Sequence, residues 1–154
     1  MNPSEEILHY VEAFGLFFEQ SGLSRTAGRI MGWLLVCDPP HQTMHELVEV
    51  LQVSKSSIST SSRILIHANL VDKISLPGKR RDYYRMSDKA WTNTFLTSVK
   101  QTAVMREMAE QGLALLAEKS ADQQQRLQDM HGLYLFLERE LPLLLERWHE
   151  EHNE

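Results

Sequence analysis

Between Ser54 and Ser62 the chain carries six serines and one threonine, beginning "SKSSISTSS". A lysine, Lys55, sits inside this run, and Arg63 follows it. Sixteen residues later come three consecutive cations, Lys79, Arg80 and Arg81, in "PGKRRD". Hydroxyls donate and accept hydrogen bonds, guanidinium forks fit planar acceptors, and ammonium groups neutralise anions. Small hydroxyls beside unopposed positive charge suit a polyanion that also offers an edge to read. The rest of the chain offers little other chemistry. No nucleophile motif, phosphate loop or paired-carboxylate signature is present, so an enzyme is not expected. His41 with His45, and His149 with His152, have helical spacing, but no Cys or carboxylate cluster completes a metal site. No cofactor is expected.

Net charge is −5, which by itself disfavours a polyanionic partner. The distribution reverses that inference. From Ser54 to Arg85 there are seven Lys and Arg against two Asp, a local +5, so the remainder carries −10. The protein reads as an acidic body with one basic segment. No apolar run approaches the ~20 residues needed to span a bilayer. The acidic start "MNPSEEILHY" is unlike a signal peptide. The single cysteine, Cys37, excludes an internal disulfide framework. A cytoplasmic protein is expected.

The elements that must position these side chains follow from periodicity and capping. Apolar Ile7, Leu8, Val11, Phe14, Leu16, Phe17 and Phe18 recur at helical spacing between Ser4 and Gln20. Ser24 can cap a second, buried helix to about Val36, which "DPP" stops. Thr43 and Glu46 fit a capping box for a short helix ending near Leu51. Ser54 then caps the serine-rich stretch. At 100° per residue Ile58, Ser62 and Leu65 share one face, while Ser56, Ser59, Thr60, Arg63 and His67 lie largely opposite. A linker has no reason to divide this way, so Lys55 to about Ala68 is read as a helix, stopped at Asn69. Val71 to Leu76 and Asp82 to Met86 read as two strands with a basic turn between them. Ser87 is expected to cap a long helix to about Lys119. Another should run from about Ala121 to His149, kinked or interrupted at Pro142.

Helix, turn, capped helix and basic hairpin together make a winged helix-turn-helix. The run "HELVEVLQVSKSSISTSSRILIHANLVDKISLPGKRRDYYRMS" resembles the winged helix of MarR-type transcriptional regulators. "RTAGRIMGWLLVCDPP" and "LYLFLERELPLLLERW" are similar to the GbsR-like subgroup, and the likeness covers Arg25 to Trp148. The expected fold class is mainly α (α+β), with long N- and C-terminal dimerisation helices. Residues 1–23 would form an N-terminal dimerisation helix, 24–87 the DNA-binding region and 88–154 a C-terminal helical dimerisation region. The resemblance implies a homodimer on a pseudo-palindromic double-stranded operator, acting as a repressor, with a small lipophilic effector between the DNA lobes and the dimerisation helices.

Ser54, Lys55, Ser56, Ser57, Ser59, Thr60 and Arg63 would read or grip the major groove. Lys79, Arg80 and Arg81 would reach a neighbouring minor groove. Phe14, Phe18, Trp33, Trp91 and Phe95 are the candidates for an effector pocket, although aromatic residues at helical spacing more often form core. Asn69 stands where the family commonly has glycine. Asp82 follows the arginines where many members have Asp-Xaa-Arg, which leaves open whether Arg81 is held by an acid. Two other readings remain: a winged-helix protein-interaction module without DNA binding, and a redox or metal sensor built around Cys37 on the same fold.

Overall fold

The computed structural model describes residues 2–152. It contains α1 (Glu5–Gln20), α2 (Arg25–Val36), β1 (Gln42–Thr43), α3 (Met44–Leu51), α4 (Lys55–His67), β2 (Val71–Ser75), β3 (Asp82–Met86), α5 (Ala90–Leu115) and α6 (Ala121–His152). The chain divides into two compact units, Met1–Thr94 and Phe95–Glu154. The fold is mostly helical with one small sheet, as the sequence pattern predicts.

In the first unit α1 lies along α2 at glycine distance. A Cβ on Gly28 would stand 2.5 Å from the Phe14 carbonyl oxygen, and one on Gly32 3.1 Å from the Val11 Cα. Only hydrogen at these positions lets the two backbones meet. Glu12 of α1 pairs with Arg25 and with Arg29, 3.1 Å from the latter. Arg29 also donates to the Leu51 carbonyl (2.8 Å), at the C-terminus of α3. One guanidinium thus ties α1 and α2 to the turn that launches α4.

The capping box of α3 forms as expected. The Glu46 amide donates to the Thr43 hydroxyl (3.2 Å), and the Glu46 carboxylate accepts from the Thr43 amide (2.6 Å). Ile30, Leu47, Leu51, Ile58, Leu65 and Val71 close the core of this unit. Burying such side chains is worth about 1.5–3 kcal/mol each.

The sheet is antiparallel in the order β1-β3-β2, with Val71 opposite Met86 and Ser75 opposite Asp82. Its third strand, Gln42–Thr43, pairs with Tyr83 and Tyr84 and is not expected from the sequence. Two residues are too few to show alternation. The hairpin turn has Pro77 then Gly78 at φ 73°, with the Lys79 amide donating to the Leu76 carbonyl (3.1 Å). This is type II chemistry, which wants proline second and a left-handed third residue.

Two expectations about the long helices need correction. Helix α5 starts at Ala90, after a turn in which the Ser87 hydroxyl accepts from the Lys89 amide (3.4 Å), and it ends at Leu115 rather than near Lys119. Helix α6 is continuous through Pro142 and is not interrupted there. In the second unit Arg106 of α5 binds Glu138 of α6 and also Glu110 (2.9 Å), and His131 Nε2 lies 3.1 Å from the same Glu110 carboxylate. These contacts fasten the turns preceding Pro142 to α5.

Candidate nucleic-acid interface

The serine run does several jobs at once. Ser54 accepts from the Ser57 amide (3.2 Å) as N-cap of α4. Ser61 and Ser62 are buried, and the Ser61 hydroxyl meets Ser24 at the head of α2 (3.2 Å). Small side chains on this face let α4 pack closely against α2. The opposite face presents Ser56, Thr60, Arg63 and His67 to solvent, with Ser57 and Ser59 half-buried at its edges. The amphipathic split expected from periodicity is therefore present. Asn69 ends the helix region at φ 58°, as its residue type allows.

The seven cations of the basic segment sort into two classes. Lys73 pairs with Asp82 (3.0 Å), which raises the Lys73 pKa through that hydrogen bond. Arg85 lies 3.7 Å from Asp72 and 3.8 Å from Asp88. The two hairpin acids are thus engaged by cations of the strands themselves. Among the described residues Lys55, Arg63, Lys79, Arg80 and Arg81 have no ion pair, and Lys55 and the three tip residues are exposed. Arg63 makes a long bond to its own helix, to the Ser59 carbonyl at 3.4 Å. The question left by the Asp82 position is answered: that acid serves Lys73, not Arg81.

Lys55, Lys73, Arg80 and Arg81 line one cleft of about 370 Å³ with Thr43 and Asp82. The start of α4 and the base of the hairpin tip therefore share one positive surface. The free amides of the first helical turn add to it, since a helix N-terminus favours phosphate.

A separate apolar cavity of about 660 Å³ lies in the same unit. Of the residues expected at an effector pocket, Phe14, Phe18 and Trp91 line it together. Trp33 does not. Its indole donates to Gln42 (3.1 Å) at another cavity, because α2 turns it toward the β1 strand. Phe95 is not among the lining residues and opens the second unit. The cavity instead uses Tyr10, Phe17, Leu23 and Leu70. Leu23 and Leu70 each follow a left-handed residue, Gly22 or Asn69, and each amide bonds back to a helix carbonyl, Phe18 or Leu65. An apolar residue in that position packs back on its helix. Gly-Leu and Asn-Leu at two helix ends were the signal available in the sequence.

A winged helix with an exposed hydroxyl face and an unpaired cationic hairpin defines a class of DNA-binding regulator. Residues 89–151 match the family description "MmpR5-like MarR family transcriptional regulator". The chain is 32% identical over 154 residues to the HTH-type transcriptional regulator MmpR5 of Mycobacterium tuberculosis, covering 100% of this chain and 93% of that protein. A crystal structure described as a transcriptional regulator has a TM-score of 0.80 at 33% identity, covering 94% of this chain and 99% of that one. The HTH-type transcriptional repressor OpcR of Bacillus subtilis is 29% identical over 89 residues, 58% of this chain and 47% of the repressor. This chain belongs to the MarR family of winged-helix transcriptional regulators. It is a DNA-binding regulator and not an enzyme.

Proposed function

We propose that the protein is a homodimeric repressor that binds a pseudo-palindromic operator. Each protomer inserts α4 into a major groove, where Ser54, Lys55, Ser56, Ser57, Ser59, Thr60 and Arg63 make the contacts. Lys79, Arg80 and Arg81 enter a flanking minor groove. The observation that carries this reading is that, among the described residues, five cations of the basic segment have no ion pair and stand beside a solvent-facing hydroxyl surface. The repressor sense is supported by the relative named above.

The dimer is supported by the second unit. No side chain of helix α6 is fully buried within the chain, and Leu133, Phe136, Leu143, Leu144 and Trp148 are all exposed. Apolar stripes of this length ask for a partner, and a second copy supplies the same stripe. Residues 1–23 and 88–154 would carry that contact, around a DNA-binding region at 24–87.

The apolar cavity is the natural seat for a small lipophilic effector, since its wall offers almost no polar surface. Its occupancy would favour a geometry in which the two α4 helices no longer match the operator spacing. The GbsR-like assignment rests on residues 25–40 and on "LYLFLERELPLLLERW". Among the described residues no helix is long and apolar enough to cross a membrane, which fits the proposed cytoplasmic location. A redox role for Cys37 gains no support: it is buried, and burial pushes its thiol up to about 11. At neutral pH it stays protonated and a poor nucleophile.

The test is selection of bound sequences from random duplex DNA, with the mass of the free protein measured in parallel. The expected result is an inverted repeat with half-sites about one helical turn apart, bound by a particle of twice 17.8 kDa. Recovery of no sequence, or a monomer at micromolar concentration, would overturn the reading.

A further inference from the structure

Ile64 is the large apolar side chain that the DNA-binding face does not explain. It is 51% exposed, on a helix whose core side is already supplied by Ile58 and Leu65. At 100° per residue it lies 40° from Thr60, and Thr60 and His67 flank it at i−4 and i+3, both solvent-facing. A β-branched side chain in that position adds neither core burial nor helix propensity. Arg63 and Ser59 lie on the other side of the face. The exposed surface of α4 is therefore divided lengthwise. One edge carries hydrogen-bonding groups, Ser56, Ser59 and Arg63. The other carries Thr60 and Ile64, with the half-buried Ser57 beyond them.

We propose that Ile64, with Thr60, is a specificity-determining contact for the 5-methyl group of thymine in the major groove. The inference rests on the reading of α4 as the groove-entering helix. Its occupant is set by charge: unpaired cations stand on the same helix and on the hairpin, so the body that covers this face is a polyanion. Within a DNA major groove the one apolar group on a base edge is the thymine methyl. An aliphatic side chain held there excludes water from that methyl and discriminates against cytosine, which presents an amino donor and no methyl. Arg63 reads acceptors on one side of the groove floor, and Ile64 reads a hydrocarbon on the other.

The test uses an operator recovered by selection and the 154-residue chain. Each thymine is replaced in turn by deoxyuridine, which removes only the methyl. The expected result is a loss of affinity of about fourfold per buried methyl at one thymine per half-site, and no loss at that position when the protein carries Ile64→Ala. Replacing cytosine by 5-methylcytosine elsewhere should be neutral. Equal deoxyuridine losses in parent and Ile64→Ala, or no loss at any thymine, would overturn the proposal. The parent measurements need no altered protein, so poor behaviour of the variant does not rescue the idea. Failure of α4 as reading helix has a different signature: Arg63→Ala and Ile64→Ala would then both bind operator like the parent.

Discussion

Replacing Arg80 and Arg81 by alanine separates a DNA-gripping hairpin from an ordinary charged surface. Among the described residues five cations of the basic segment lack an ion pair, so the proposed dimer presents ten of them. If each neutralises one phosphate, log affinity should fall against log salt with a slope of about −9. Removing two per protomer leaves six, and the slope should ease to about −5. Between 50 and 200 mM salt the parent should then lose roughly 10⁵ in affinity and the variant roughly 10³. The fold should not suffer. Both side chains are exposed, Asp82 keeps Lys73, and surface changes of this sort move stability by about 0.5 kcal/mol or less. Fluorescence anisotropy on operator and on a shuffled duplex gives both slopes. Minor-groove and phosphate contacts at the hairpin should flatten both lines alike, because they carry little sequence information. Parallel lines for parent and variant on both duplexes would refute the assignment of the hairpin to DNA.

Three further outcomes follow from the packing. Ser62→Ala should raise stability by about 1–2 kcal/mol, since its hydroxyl is 1% exposed with no hydrogen-bond partner and alanine is the better helix former; a lower Tm would show that the hydroxyl is satisfied. Gly28→Ala should cost about 1–3 kcal/mol in denaturant unfolding, because the new methyl would lie 2.5 Å from the Phe14 carbonyl oxygen and 2.8 Å from Phe18 Cβ; unchanged stability would mean that α1 can move off α2 freely. Hydrogen bonds from His131 and Arg106 hold the Glu110 carboxyl below its ordinary value of 4.5. A depressed carboxylate contributes stability above that value and loses it as pH falls through its lower folded pKa. Glu110→Gln should therefore flatten the decline in thermal stability between neutral pH and the acid range below 4.5, and an unchanged pH profile would rule out this network as a contributor.

Much of the winged-helix region was legible from residue order, because its signals are local. A helical period separates Ile58 and Leu65 from Thr60 and Arg63 whatever lies nearby, and α4 follows it. Thr43 with Glu46, Ser54, and Pro77-Gly78 encode caps and a turn through contacts within three or four residues. Each formed where the sequence put it. The net +5 of the segment gave the sign of its surface, but not which cations stay unpaired.

That choice required the hairpin register. Lys73 and Asp82 are nine residues apart and meet only because β2 and β3 pair, which frees Arg81. The apolar cavity shows the same division. Periodicity marks Phe14, Phe18 and Trp33 alike as inward-facing, yet α2 turns Trp33 to Gln42 while chain reversals bring in Leu23 and Leu70. The β1 strand is too short to announce itself and exists through its partner β3. Pro142 argues for a kink or an interruption on local grounds, and α6 runs through it without interruption, beside a turn bound by Arg106. By itself, then, the sequence determined the elements, their caps and the sign of the charged face, since those depend on neighbours in the chain. Only the tertiary structure decided which cations stay free and which aromatic residues share a cavity, because both depend on groups brought together from distant positions.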